Sequence, residues 1–540
     1  MIERILSAAL VIAAATSAFA QQDIEKGLKG PDPFAISSGR TFSASSSTKA
    51  KPSASASRTL AASISTDVQD ALAIIRQNHV GGSSNNPNEL SKASINAMLK
   101  SLDPHSNYYD PIEWKELLGD QKSEYFGTGS TIISYDRGGK QETYVIATYP
   151  GTASEKAGLK FGDRIIAVNG RSVEGRSSMV IRDLIRGPRN TSVKVTVDRN
   201  GSTITVDLKR DRVPQPTVTN AFMVDSGVGL IEMPEGFSFT SYSEFDDAFT
   251  RLKQSGMTSL ILDLRGNPGG VLDTSIKIAE KFLPAGATIV SQRGRSSADS
   301  RTWKSNNRTP EKMPVIVLVD GDSASASEII AGALQDNDRA LIVGEKTFGK
   351  GLVQSVLDLP SGTGLTLTTA KYFTPSGRSI QRDYERSGTY AYYNHQEEGG
   401  QEAKVASYTV TKRQVFGGDG ITPDEFAASE EATEKRIAML DPIFYFVKRD
   451  QAITEVTDET VSAFAKFAAD GWSLSESAVM KDREFVRVRL QYTLTLGRFG
   501  LTPARQQMLA ADPQVRSAMN SIPKAAAFVR SPANRNLSVK

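Results

Sequence analysis

A serine cluster and a glycine-flanked lysine stand close together in this chain. Gly321-Asp322-Ser323-Ala324-Ser325-Ala326-Ser327-Glu328 follows the apolar run Met313 to Val319 and precedes a helix-like stretch from Ile329 to Leu334. That order puts the serines on a strand-to-helix turn. Further on, the apolar run Ala340 to Val343 leads into Gly344-Glu345-Lys346-Thr347-Phe348-Gly349-Lys350-Gly351. A serine on such a turn and a lysine on a close-approach loop suggest a Ser-Lys hydrolase.

A serine hydroxyl needs a base to take its proton at neutral pH. Histidine is the usual one, but the chain has only His79, His105 and His395, and none accompanies the serine cluster. Lysine can replace it if burial lowers its pKa; with pKa ~10.4 it is only about 0.04% neutral at pH 7. Gly349 and Gly351 permit the close backbone approach that would bury Lys350. Two other readings compete. Ser325-x-x-Glu328 matches a capping box, which is compatible with catalysis because a helix N-terminus offers free N–H groups to an oxyanion. Gly344-x-x-x-x-Gly349-Lys350 matches a phosphate-binding loop, except that Gly351 stands where Ser or Thr should hold Mg²⁺.

The surrounding elements read as several domains, as 540 residues require. Residues 21–60 are rich in Ser, Ala, Gly and Lys and read as a flexible tether. Residues 61–124 show helical spacing, with Val68, Ala71, Leu72 and Ile75, then Ile95, Met98 and Leu99. Short strands follow, including a hairpin around Asn200-Gly201. The stretch Gly158-Leu159-Lys160-Phe161-Gly162-Asp163-Arg164-Ile165-Ile166-Ala167-Val168-Asn169-Gly170 makes residues 125–213 resemble a PDZ domain. Such a domain holds an extended peptide on a sheet edge and captures its terminal carboxylate with loop N–H groups. The matching loop here is Phe126-Gly127-Thr128-Gly129. Residues 214–424 alternate strand and helix as an α/β core, and 425–540 read as mostly helical.

Composition narrows the class. A net charge of +3 gives no argument for nucleic acid as a partner. The absence of cysteine excludes a cysteine protease, a thiolate zinc site and a disulfide framework. Arg4, the apolar run Ile5 to Ala15 and Ala18-Phe19-Ala20 predict a signal peptide over residues 1–20. The mature chain is therefore expected to be exported, periplasmic in a Gram-negative source, with no stable membrane span once the leader is cut.

Five segments together resemble the carboxy-terminal processing (tail-specific) proteases. They are the serine cluster Ser323 to Ile329, the lysine loop Val343 to Gln354, Tyr372 to Gln381 (YFTPSGRSIQ), Ser101 to Ser106 (SLDPHS) and Asp263 to Gly270 (DLRGNPGG). The likeness spans roughly residues 65–425 in the family's domain order. It implies that Ser325 is the nucleophile and Lys350, 25 residues on, the general base. It also implies that Gln354 orients the lysine, and that the N–H of Ala326 with that of Gly269 or Gly270 forms the oxyanion hole. The Gly266-Asn267-Pro268-Gly269-Gly270 turn departs from the family's commoner Asn-Asn-x-Gly-Gly form and leaves that choice open.

The expected architecture is a multidomain α+β chain: N-terminal helical segment, PDZ domain, crotonase-like α/β protease core and helical C-terminal extension. The expected function is a serine endopeptidase acting near nonpolar C-termini, its PDZ domain recognising the substrate tail. No metal or cofactor is called for. An adaptor protein and homo-oligomerisation stay open as partnerships. The alternative is a non-catalytic PDZ adaptor with an inactive protease core.

Overall fold

The structure, a computed structural model, describes residues 54–81, 86–120, 124–384, 406–450 and 452–530. The expected leader and most of the tether lie outside them, as does His395. Of the described residues, a smaller compact unit holds those up to Pro111 together with Ser355–Leu367, and a larger unit holds the rest.

In the smaller unit, helices α1 (Ala54–Asn78) and α2 (Pro87–Lys100) precede β1 (Asn107–Tyr109), which pairs antiparallel with Gly364–Thr366. Helix α1 begins inside the stretch expected to be a tether, where alanines favour helix. Asn86 caps α2 by accepting the Asn88 N–H at 3.0 Å, and Pro87 follows where a missing donor is harmless. In the Asp-Pro-His-Ser turn, Asp103 accepts the N–H groups of His105 and Ser106, both at 2.8 Å.

Helix α3 (Pro111–Asp120) leads into the larger unit. Its first sheet runs in the order β3 (Ser130–Arg137), β4 (Lys140–Thr148), β5 (Arg164–Val168), β7 (Ser192–Arg199), β8 (Ser202–Lys209), with the short β6 (Arg171–Ser172) beside β5. β2 (Glu124–Gly127) and β9 (Asp211–Pro214) pair antiparallel and bring the two ends of this region together. Helix α4 (Ala153–Lys156) follows β4, and α5 (Ser178–Ile185) buries Ile181 and Ile185. The hairpin at Asn200-Gly201 forms as expected, with φ of 51° and 86°, the left-handed pair a tight turn needs.

The second sheet is β10 (Asn220–Asp225), β11 (Val228–Glu232), β12 (Ser259–Asp263), β15 (Val315–Val319), β16 (Leu341–Gly344) and β21 (Glu425–Phe426). All pairs are parallel except β10–β11. β12 and β15 are buried at every residue, which is why they read as continuous apolar runs. Helices α6 (Ser241–Gln254), α7 (Leu272–Glu280) and α8 (Ala326–Asp336) cover one face, around Phe245, Phe249, Phe282 and Ile330. A further antiparallel layer joins β13 (Thr288–Gly294), β14 (Arg301–Lys304) and the Ala370–Phe373 end of β18 (Gly364–Phe373), which follows β17 (Leu352–Asp358). β19 (Ala406–Tyr408) and β20 (Gln414–Phe416) form a small ribbon.

The C-terminal helices are α9 (Glu434–Arg449), α10 (Asp458–Trp472), α11 (Glu476–Lys481), α12 (Arg483–Phe499), α13 (Leu501–Ala511) and α14 (Pro513–Arg530). They do two things no local pattern discloses. Helix α14 lays Val515, Ala518 and Ala525 on the second face of the core sheet, against Ile261, Ile316 and Leu341. Its start is pinned by half-buried Arg265, which donates to Asp512 (3.0 Å), Gln514 (2.7 Å) and Asp263 (2.6 Å). Helices α9 and α12 meanwhile clamp the first sheet, with the Tyr135 and Phe444 rings stacked at 3.9 Å between centroids and Tyr144, Tyr445, Tyr492 and Leu496 around them.

Phe444 is fully buried in that clamp. Phe444→Ala should therefore cost about 3–5 kcal/mol, seen as a lowered urea midpoint for the transition reported by Trp472 fluorescence. An unchanged midpoint would mean that the clamp contributes nothing to stability.

Candidate active site

Ser325 sits where β15 gives way to helix α8, at φ 53° and ψ −111°. A non-glycine residue avoids that backbone region, so its surroundings must hold it at a cost of about 1–3 kcal/mol. Ala324 N–H donates to the Asn267 carbonyl at 2.9 Å, and Ser327 Oγ donates to the same oxygen at 3.0 Å. Ser323 Oγ donates to the Leu264 carbonyl at 2.9 Å. The outer serines of the cluster thus tie the turn down, and Ser325 is the half-buried one between them.

The lysine loop is built from the other side. Gly349, at φ +89°, lies so close to Arg382 and Gly420 that an added Cβ would meet them at 2.9 and 3.1 Å. Gly351 is pressed as closely on the Gln381 backbone, at 2.8 Å. Phe348 N–H donates to the Ser323 carbonyl at 3.0 Å, fastening the loop to the serine turn. Lys350 and Gln354 are both half-buried, the latter on β17. Lys346, the other lysine of the loop, is paired with Asp419.

One carboxylate joins the two segments. Glu328, wholly buried, accepts the N–H of Ser325 and the N–H of Lys350 on the same oxygen, Oε2, each at 2.8 Å. Its Oε1 accepts Gly349 N–H at 2.8 Å and Thr347 Oγ1 at 2.6 Å. Burial pushes its carboxyl up from the ordinary value, while the Thr347 hydroxyl and the three backbone donors pull it back down. The sequence offered only the capping half of this role. Its other half depends on where the fold brings residues 347–350.

Those same bonds exclude a phosphate cradle. The N–H groups of Glu345, Thr347, Phe348, Gly349, Lys350 and Gly351 are all donated within the protein. None of these six is left to face a phosphate.

The glycine turn that follows β12 completes the constellation. A Cβ on Gly269 would meet Ala324 O, Ala326 N and Ser325 Cβ at 2.8 Å, so this turn lies directly against the serine. Gly269 N–H is already donated to Asn267 Oδ1 at 2.8 Å. The Asn267 amide group is itself held by the carbonyls of Met233 and Glu235, both at 2.8 Å. Gly270 N–H and Ala326 N–H make no hydrogen bond among the described residues.

The other predicted site is separate. Gly129, at φ +80°, stands where a Cβ would collide with Thr152 at 2.3 Å. The carbonyls of Thr128 and Gly129 accept Ser154 N–H (2.9 Å) and Tyr149 N–H (3.0 Å), while the N–H groups of Thr128 and Gly129 are undonated among the described residues. Phe126 and Gly127 pair with Arg212 and Asp211 on β9. Of the histidines, His79 and His105 belong to the smaller unit.

The chain is similar to known proteins. The model of peptidase family S41 matches residues 227–386, and that of the PDZ domain matches 144–199. A carboxy-terminal-processing protease of Bartonella bacilliformis is 38% identical over 301 residues, covering 54% of this chain and 67% of that protein. The carboxy-terminal processing protease CtpA of Bacillus subtilis is 35% identical over 296 residues, covering 54% of this chain and 62% of its own length, a little under two thirds. A solved photosystem II D1 C-terminal processing protease is 27% identical, covering 67% of this chain and 92% of that one with a TM-score of 0.35. The chain belongs to the carboxy-terminal processing protease family, serine peptidases of family S41, here with a PDZ domain and a helical C-terminal region.

Glu328→Gln would replace an acceptor oxygen by a donor, leaving at least one pair of N–H or O–H groups facing an NH₂. The expected result is a 10- to 100-fold fall in kcat, about 1.4–2.7 kcal/mol, with KM for a peptide substrate changed far less. In the parent protein, falling pH protonates Glu328 and removes the same acceptors. Because burial raises its pKa, the parent should show an acid limb above the ordinary glutamic acid range, in addition to the loss that protonation of Lys350 brings. Glu328→Gln should lack that limb. A pH–rate profile for both proteins checks this, and an unaltered kcat in the variant would contradict it.

Proposed function

We propose that this chain is an exported endopeptidase that cuts proteins with nonpolar C-terminal tails by acyl transfer at Ser325, with Lys350 as general base. The observation that carries this reading is the shared oxygen: Glu328 Oε2 accepts both Ser325 N–H and Lys350 N–H, so a single buried atom registers nucleophile loop and base loop against each other.

Neutral Lys350 accepts the Ser325 proton as Oγ attacks the peptide carbonyl carbon. The tetrahedral oxyanion is met by the undonated N–H groups of Ala326 and Gly270; Gly269 is the weaker choice because its N–H is spent on Asn267. Lys350 then gives the proton to the leaving amine as the C–N bond breaks. Water, deprotonated by the same amine, cleaves the acyl ester and Ser325 recovers its proton. Gln354, on the strand leaving the lysine loop, orients the lysine. The parallel β11–β12–β15–β16 order with helices between is what a crotonase-like core would provide.

Substrate selection falls to the PDZ domain. The undonated N–H groups of Thr128 and Gly129 suit a terminal carboxylate. β3 pairs only with β4 among the described strands, so its other edge can take a peptide. Helix α5 borders it through Ser178 N–H on Ser134 Oγ (2.6 Å) and presents exposed Val180 and Leu184, apolar walls for a nonpolar tail. Export is inferred from Arg4, the apolar run after it and Ala18-Phe19-Ala20.

The test compares cleavage of an unfolded protein ending in apolar residues with its C-terminally amidated twin. Ser325→Ala and Lys350→Ala should each lower kcat/KM at least about 1,000-fold, and amidation should raise KM for the parent enzyme. Cleavage by Ser325→Ala at the parent rate would refute the nucleophile. Tail binding without cleavage by any of the three proteins would favour the adaptor reading.

A further inference from the structure

Beside the end of β3 lies a cleft of about 650 Å³ that the scheme above does not use. Three cations line it: Arg137 from β3, and Lys448 and Arg449 from α9. None of the three is hydrogen-bonded or ion-paired to a carboxylate among the described residues. Their partners are ring faces instead. Arg137 lies 5.3 Å from the Tyr445 centroid, Arg449 lies 4.5 Å from that of Phe467, and Lys448 lies 5.4 Å from that of Tyr144. Trp472 adds a further ring, 5.1 Å from Tyr445.

The neighbouring acids are already committed. Glu142 accepts the hydroxyls of Tyr144 (2.6 Å) and Tyr445 (2.7 Å) and the Arg164 guanidinium (3.3 Å). Asp198 accepts Arg164 (3.0 Å) and Gly201 N–H (2.8 Å). Asp136 holds Gly139 N–H at 3.0 Å. Glu142 and Asp198 therefore act on Arg137 and Lys448 at a distance without bonding them. The cleft presents cations with open N–H donors over an aromatic floor, a setting for carboxylate groups on a chain with apolar neighbours.

The strand edge leads there. A tail with its carboxylate at the N-terminal end of β3 must run antiparallel along that strand, its upstream residues heading toward Arg137. Outward-pointing backbone groups alternate along such an edge. Asp136 N–H is one of them, and it is occupied: it donates to Asp441 Oδ2 of α9 at 3.1 Å. Ile132 and Ser134 share its direction and have no such cover among the described residues. The ladder open to a tail thus stops at Ser134, enough for roughly the last four residues. The residues before them must leave the edge where Arg137 and the cleft stand.

We infer that this cleft is a second tail subsite that selects acidic side chains about five to eight residues before the substrate's C-terminus. This rests on the carboxylate-capture reading above and adds a charge requirement to it. An apolar end alone would then be a weak signal, and an apolar end preceded by an acidic stretch a strong one.

The full chain carrying Ser325→Ala would be titrated with fluorescent peptides of about twelve residues that share four apolar terminal residues. They carry Glu, Ser or Lys at the four positions before them, each with a free or an amidated C-terminus. The Glu peptide should bind about 10-fold tighter than the Ser peptide at low salt, and the Lys peptide weaker than either. That gain should vanish on adding Lys448→Gln and Arg449→Gln together, and shrink at ~0.5 M NaCl. Binding of the Ser peptide should survive the double change, which reports that the domain is folded. Equal binding of Glu and Ser peptides, with free carboxylates still preferred, would overturn the subsite and leave tail capture standing. A Glu gain that persists in the double variant would place the selection elsewhere and overturn it too. If amidation affected no peptide, carboxylate capture itself would fall and this subsite with it.

Discussion

A buried carboxylate with four donors around it holds the serine turn and the lysine loop together. Glu328 has no cation bonded to it among the described residues; its negative charge is balanced by backbone N–H groups and one hydroxyl. Such a group is expensive to bury and worth the cost only if every lone pair is used. Here each bond joins helix α8 to something that must be placed: the strained Ser325 peptide on one side, the Gly349-Lys350 backbone on the other. A change in either loop would leave a donor or an acceptor unsatisfied, so the two loops are fixed relative to each other by a common desolvation penalty. An ion pair could attract the same segments without fixing their register so tightly.

The core sheet supplies the platform for this arrangement. β12, β15 and β16 end side by side, and the loops leaving them carry the glycine turn, the serine and the lysine respectively. Asn267 and Asp320 stitch those ends together. Asn267 reaches Met233, Glu235 and Gly269, and Asp320 takes the N–H groups of Gly266 and Ser323. The C-terminal helices then close the second face through α14 and hold the first sheet through α9 and α12. They belong to the scaffold of both regions rather than forming an appendage.

Much of this was legible in the chain. The fully buried strands announced themselves as SLILD and VIVLV, and Asn200-Gly201 fixed a hairpin by its own backbone preference. The serine cluster and the glycine-flanked lysine identified the two loops that meet. Local pattern could not disclose Glu328's contacts with residues 347–350, because a capping box looks the same whether or not a second loop lies beside it. Nor could it disclose that the Asn267 side chain takes the Gly269 N–H, the contact that separates Gly269 from Gly270. The C-terminal helices read as helices, but their partners lie hundreds of residues away: Arg265 for Asp512, Tyr135 for Phe444. Amphipathic spacing shows that a face is buried without naming what buries it.

The most direct test of the account is where an acyl group lands. The protein would be treated with an activated ester, and the adduct located by peptide mapping with mass spectrometry, alongside the Glu328→Gln and Lys350→Ala proteins. The account predicts a single ester on Ser325 in the parent and slow or absent labelling in both variants, with folding intact by circular dichroism. An adduct on another residue, or Ser325 labelled as fast without Glu328 as with it, would contradict the claim that this carboxylate assembles the proposed dyad.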